Sequence, residues 1–227
     1  MRKLPLSHGL LYFLDELEFS EAGLSADPDA QSLAAPFQET LEEWDGLFKK
    51  ERSARRAVVR SEAAVAVHNE RLDSTTIRFG AMVRGVAPAL MNRLFTMAPG
   101  KLVRRGLRQQ CEKTRDVILV ELGKLEDAHP LKPFAAQLGT LVDAALSALD
   151  SRAQAKGARQ TIASDIEEWK EGVNALRTTT YAELLKISAD KGYPRSWVES
   201  FFRTASAASD PSDEDAESPA TSTPEPT

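Results

Sequence analysis

Residues 37–86 decide the fold of this chain, and they read FQETLEEWDGLFKKERSARRAVVRSEAAVAVHNERLDSTTIRFGAMVRGV. Large apolar side chains recur there at helical spacing, from Phe37 and Trp44 through Phe79 to Val83, and no proline interrupts them. This periodicity is typical of an α-helix that buries one face. Because each residue adds ~1.5 Å, such a helix is about 75 Å long, which predicts an elongated molecule.

The same pattern returns in residues 134–191, which predict a second long helix. Residues 101–127 predict a third helix, and residues 10–20 predict a short amphipathic helix that caps one end of the others. No segment alternates apolar and polar residues as a half-buried strand does. The sequence therefore predicts an all-α fold, an elongated antiparallel helical bundle of long helices.

Composition divides the chain into three parts. Residues 1–32 are predicted to form a short helix and a linker, and residues 33–204 the helical bundle. Residues 205–227 contain six acidic residues, no basic residue and no large apolar residue. A segment of that composition cannot bury enough surface to fold, so we predict a disordered acidic tail.

Two parts of the bundle resemble each other. Residues 33–97 and 130–204 each open a long helix with a Pro-Phe pair and end it with a glycine followed by a proline. We interpret them as a tandem duplication. Each copy then carries a bulky pair, which we expect to fold back onto the end of its own long helix near Val83 or Ile187; the pairs are Leu94-Phe95 and Phe201-Phe202.

The sequence contains no motif for catalysis or cofactor binding. No histidine follows a glutamate at the spacing of a di-iron bundle, and no glycine-rich phosphate loop is present. The single cysteine, Cys111, lies on an apolar helix face, where a thiol acts as a small hydrophobe. We therefore predict a protein that is not an enzyme and that uses no cofactor and no metal. The absence of an apolar run of ~20 residues predicts no membrane span, and a cytoplasmic location is expected.

These features favour a scaffold or a protein–protein interaction module. The aromatic-rich last helix supplies the candidate partner-binding residues Trp197, Phe201 and Phe202, because bulky aromatic side chains often anchor interfaces. The expected partner is therefore a protein.

Two basic clusters support an alternative function, which is binding to nucleic acid or another polyanion. They occupy residues 49–60 and 101–115 in a chain whose net charge is −5. The candidate polyanion-binding residues are Arg104, Arg105 and Arg108. A scaffold predicts that these arginines are paired with carboxylates, whereas polyanion binding predicts that they are unpaired on one surface.

Overall fold

The computed structural model of the chain describes residues 2–203, and all regular secondary structure within that range is helical. This confirms the predicted all-α fold class. The predicted acidic tail lies outside the described residues. The main helices are α1 (Leu10–Ala26), α2 (Ala35–Val86), α3 (Met91–Leu94), α4 (Pro99–Leu102), α5 (Leu107–Lys113), α6 (Val120–Gly123), α7 (Pro133–Lys191) and α8 (Arg195–Glu199). Short 3-10 turns occupy Gln31–Leu33 and Pro88–Leu90, and a π-helical segment, Thr114–Leu119, connects α5 to α6.

The two long helices α2 and α7 contain 52 and 59 residues, close to the predicted extents. Each begins slightly earlier than expected, since Pro36 and Pro133 lie inside the first turn instead of before it. Proline is tolerated there because the first helical N–H groups have no intrahelical acceptor.

The chain forms two compact units. The middle unit consists of residues 47–166, and the terminal unit combines residues 1–46 with the chain from residue 167 onward. The long helices contribute to both units, so the terminal unit is built from two separate segments of sequence, whereas the middle unit is one continuous segment.

In the middle unit, α2 and α7 run antiparallel. The ring centres of Phe79 and Phe134 lie 5.0 Å apart, and Glu62 forms an ion pair of 3.0 Å with Lys156. Earlier residues of α2 thus contact later residues of α7, as in antiparallel helices. Helices α3 to α6 cover one end of this pair. The buried core there comprises Leu72, Phe79, Val83, Leu94, Phe95, Leu102, Cys111, Ile118, Leu122, Leu131, Leu138, Val142 and Ala145.

In the terminal unit, α1 packs its apolar face inward. Phe13, Leu17 and Leu24 of α1 are completely buried, and the Phe13 ring lies 6.1 Å from that of Trp169 on α7. This helix was predicted to end near residue 20 but continues to Ala26. Gly23 remains helical because Phe201 packs against it, with a ring carbon 3.4 Å from where a Cβ would lie.

The predicted single helix over residues 101–127 is wrong. The chain leaves helical geometry between α4 and α5, and Gly106 stands before α5 with a ψ of 140°. The apolar spacing across this break imitates a continuous helix because Leu102 and Leu107 both pack toward the same core. Glycine costs about 1 kcal/mol in a helix interior relative to alanine, which favours interruption at Gly106.

Both predicted bulky pairs are buried. Leu94 and Phe95 join the core that contains Val83, as expected, and the Phe95 ring lies 5.5 Å from that of Phe79. In the other pair, Phe202 packs on Tyr181 at 5.8 Å, which lies earlier in α7 than the predicted contact at Ile187. The tandem duplication itself stays a prediction.

Candidate functional sites

A cavity of about 720 Å³ opens in the terminal unit. Its walls come from the N-terminal segment, α1, α7 and the residues around α8. This volume lies in the range of small-molecule sites, roughly 300–1,000 Å³. The lining residues are Arg2, Lys3, Leu4, Pro5, His8, Tyr12, Asp15, Glu16, Arg177, Tyr181, Glu199, Phe202 and Arg203.

A buried ion pair forms the inner wall of this cavity. Nη1 of Arg177 donates to Oε2 of Glu16 at 3.0 Å, and the two side chains are only 2% and 7% exposed. The guanidinium carbon also lies 5.1 Å from the centre of the Phe202 ring, within cation–π range. Burial lowers the pKa of Arg177, and the neighbouring Glu16 carboxylate opposes that shift.

The N-terminal wall is held by side chains of α7. Nζ of Lys170 donates to the backbone carbonyls of Leu6 and His8 at 2.9 and 2.6 Å. The Asn174 amide both donates to and accepts from the backbone of Leu4, at 2.9 and 2.8 Å. These bonds fix an otherwise irregular segment. These hydrogen bonds were not predicted from the sequence, because every residue type has a backbone carbonyl and nearly every one a backbone N–H.

The predicted partner-binding residues on and after α8 lie mostly in the interior of the terminal unit. Phe201 and Phe202 are buried, and Phe202 lines the cavity. Trp197 is half-buried, and its Nε1 donates to Oδ2 of Asp27 at 2.9 Å. The three side chains are thus brought together, although the two phenylalanine rings face the interior and not the solvent.

The predicted polyanion-binding residues behave differently from one another. Arg108 forms an ion pair with Asp150 at 3.0 Å, and both side chains are largely exposed. Arg104 and Arg105 are exposed and have no carboxylate partner among residues 2–203. Pairing with a carboxylate, as expected for a scaffold, is thus found for Arg108 alone. Arg104 and Arg105 are unpaired, as expected for polyanion binding.

A second surface lies on α2 within the middle unit. On the side opposite its buried residues, α2 exposes an apolar stripe whose large members are Val59, Val67 and Ile77. Three exposed alanines lie on the same side; they are Ala63, Ala66 and Ala81. The sequence analysis emphasised the buried face of α2 and overlooked this one, although the helical spacing of the valines and alanines was readable.

Cys111 is completely buried, and burial raises the pKa of its thiol to about 11. A thiol of that kind is a poor nucleophile at neutral pH because the reactive form is the thiolate. Within the described residues, no group of three or more His, Cys, Asp or Glu side chains is arranged to hold a metal ion.

No protein-family model, curated protein or solved structure matches this chain. None of the described helices combines the length and the apolar character needed to cross a membrane.

Proposed function

We propose that this chain is a non-enzymatic helical scaffold that associates with further copies of itself. In this proposal, the exposed face of α1 in one copy packs on the apolar stripe of α2 in another. The observation that carries the proposal is the stripe itself, which lies on the solvent side of a long helix and has a basic edge.

The stripe follows helical geometry. Val59, Ala63 and Ala66 succeed one another at steps of four and three residues, and after exposed Glu70 and Ser74 the same line continues with Ile77 and Ala81. Val59 and Val67 are 59% and 51% exposed, and scattered single exposed apolar residues are common, but several on one side of a helix are not. A row of apolar and small side chains is the pattern by which one helix packs on another.

One edge of the stripe is basic. Arg60, Arg71 and Arg78 follow each other at steps of eleven and seven residues, which return to the same side of a helix after three and two turns. None of the three forms an ion pair with a carboxylate in the part of the chain that the structure describes, although the guanidinium carbon of Arg78 lies 5.9 Å from the centre of the Phe134 ring. A complementary helix would therefore present acidic residues beside apolar ones.

The exposed face of α1 has that chemistry. Leu11 is 60% exposed and Phe19 43%, and they lie two turns apart on the side opposite the buried residues of α1. Asp15 and Glu18 lie on the same side between them, and both are exposed. The two faces are thus complementary in charge and in apolar character.

The contact is expected to be weak and sensitive to salt. Exposed ion pairs contribute about 0–1 kcal/mol each, and they weaken as ionic strength rises. Because two different faces meet, the association is head-to-tail and produces closed rings or open chains.

The test is sedimentation velocity over a wide range of protein concentration at low and moderate salt. We expect species larger than the monomer that grow with concentration. Val67→Glu on the stripe and Phe19→Glu on α1 should each abolish this growth, whereas Val120→Glu serves as control, since Val120 is 51% exposed and lies on neither face.

Mixing the two defective variants makes the test specific. The Val67→Glu chain retains an intact α1 face, and the Phe19→Glu chain retains an intact stripe, so an equimolar mixture should form a complex that neither forms alone. A chain that stays monomeric at every concentration overturns the proposal, and so does assembly that both variants leave unchanged. Salt-sensitive binding of DNA or RNA by the monomer would instead support the polyanion alternative through Arg104 and Arg105.

A further inference from the structure

We propose that the cavity of the terminal unit is a binding site for a small organic carboxylate, which accepts hydrogen bonds from Arg177. This inference does not rest on self-association, because its main observation is the hydrogen bonding of Arg177, although Asp15 belongs both to the cavity lining and to the exposed face of α1.

The first argument is the incomplete hydrogen bonding of Arg177. A guanidinium has five N–H donors in a fixed plane. Nη1 donates to Glu16, whereas Nε is completely buried and has no acceptor among the described residues, in a side chain that lines the cavity. A buried donor without an acceptor is unfavourable, so an incoming oxygen atom is favoured at this position.

The second argument is the electrostatic balance of the lining. Four cationic side chains face three carboxylates in the cavity; the cations are Arg2, Lys3, Arg177 and Arg203, and the carboxylates are Asp15, Glu16 and Glu199. Glu16 is paired with Arg177, and Glu199 is paired with Arg195 outside the lining, so the remaining groups carry more positive than negative charge. The cavity thus favours an anion.

The third argument is the shape of the walls. His8 stacks on Tyr12 with ring centres 4.2 Å apart, and the Phe202 ring contacts both the Tyr181 ring and the guanidinium of Arg177. These rings offer flat apolar surfaces on which an aromatic or aliphatic body can lie. A carboxylate attached to such a body fits both the polar inner end and the apolar walls, which is the usual composition of a small-molecule site.

The structural interpretation of Arg177 is that it only connects α1 with α7 through Glu16. That interpretation accounts for Nη1 and for the contact with Phe202. It leaves the buried Nε without an acceptor, and a bound carboxylate would supply one.

The experiment uses the full chain with benzoate and benzamide, which have nearly the same shape and differ in charge. Binding is followed by saturation-transfer NMR of the probe and by the ¹⁵N-labelled arginine side-chain spectrum of the protein. We expect benzoate to bind and to shift the Arg177 Nε resonance, and benzamide to do neither. Benzamidine, the cationic analogue, should also fail to bind.

Substitutions test the site without removing the buried pair. Arg203 lies at the edge of the cavity and has no ion-pair partner within residues 2–203, so Arg203→Ala should weaken benzoate binding by ~2- to 5-fold while the chain stays folded. Arg152→Ala, in the middle unit, is the matched control and should leave the affinity unchanged. Equal binding of benzoate and benzamide overturns the proposal. So does the absence of any arginine shift at a benzoate concentration that saturates a weak site, because water then completes the Arg177 donors.

Discussion

Arg177 on α7 donates a hydrogen bond of 3.0 Å to Glu16 on α1, and both side chains are buried. The pair joins segments that lie 161 residues apart in sequence. Desolvating two charges costs several kcal/mol per ion, and their attraction only partly offsets this cost. The pair therefore adds little to the net stability of the fold, but removing either partner alone leaves an uncompensated buried charge and is strongly destabilising.

The first prediction concerns this pair. Glu16→Ala should lower the free energy of unfolding by about 3–5 kcal/mol, since it leaves a buried guanidinium without its counter-charge. Replacing both partners with apolar residues of similar size, Glu16→Leu with Arg177→Met, should cost much less than the single change. Urea unfolding of the three chains measures this difference. Glu183→Ala, whose ion pair with Lys186 is exposed, is the control and should have little effect. A double variant as unstable as Glu16→Ala would show that the charges themselves stabilise the fold.

The second prediction concerns the buried thiol of Cys111, whose pKa burial raises from 9.0 to about 11. The folded state holds this proton more tightly than the unfolded state does. The resulting stability is present below pH 9 and is lost as the pH rises through 9 toward 11, and amounts to roughly 2–3 kcal/mol. Cys111→Ala should therefore lose less stability than the natural chain between pH 8 and pH 11, as measured by urea unfolding at each pH. If the free energy of unfolding of the two chains changed with pH in the same way, burial of Cys111 would not be the cause of the pH dependence.

Reactivity gives a second measurement on the same residue. At neutral pH the folded chain should react slowly with a disulfide reagent, because the thiolate is scarce and the sulfur is buried. The rate should rise to that of a free thiol when the chain is unfolded in urea. A fast reaction of the folded chain would instead identify Cys111 as accessible.

The long helices were predictable because apolar residues recur along the sequence at the spacing of one helix face. The buried face of α7 shows the limit of that signal. Leu176 continues the apolar spacing of α7, yet it is half-buried, and the neighbouring Arg177 is fully enclosed. A charged side chain becomes acceptable there only through Glu16, and a single sequence does not record which distant carboxylate will be adjacent.

The cavity could not be predicted for the same physical reason. Its inner wall depends on Lys170 and Asn174, which bind backbone carbonyl and amide groups near the N-terminus. Any residue type can supply those backbone groups, so the irregular N-terminal segment carried no sequence signal for its position. The exposed stripe of α2, by contrast, was visible in the spacing of Val59, Ala63 and Ala66.

The third prediction compares the two bulky pairs. Phe95→Ala and Phe202→Ala should each lower the free energy of unfolding by about 3–5 kcal/mol, because both rings are buried among other aromatic groups. Thermal and urea unfolding measure both effects. Leu185→Ala is the control on α7, since Leu185 is 41% exposed, and it should be nearly neutral. A Phe202→Ala chain as stable as the natural one would indicate that this ring serves a partner and not the core.

The last prediction concerns two glycines near the end of α2 that differ in their surroundings. A Cβ on Gly80 would lie 2.5 Å from Cγ of Pro99, whereas nothing lies within 4 Å of a Cβ on Gly85. Both positions are helical, so alanine is favoured at each by about 0.5–1 kcal/mol in the absence of contacts.

We therefore expect the two substitutions to act with opposite signs. Gly85→Ala should stabilise the chain by about 0.5–1 kcal/mol, because it only reduces the freedom of the unfolded state. Gly80→Ala should destabilise it by about 1–3 kcal/mol, the usual cost of overpacking, since the proline ring is rigid and α4 must move away from α2. Urea unfolding of the two variants gives both values. Pro99→Ala removes the ring carbon at 2.5 Å but keeps the Cβ at 3.0 Å, so Gly80→Ala should cost less stability in the Pro99→Ala chain than in the natural chain. If Gly80→Ala is as stabilising as Gly85→Ala, then α4 does not pack on α2 as closely as these distances require.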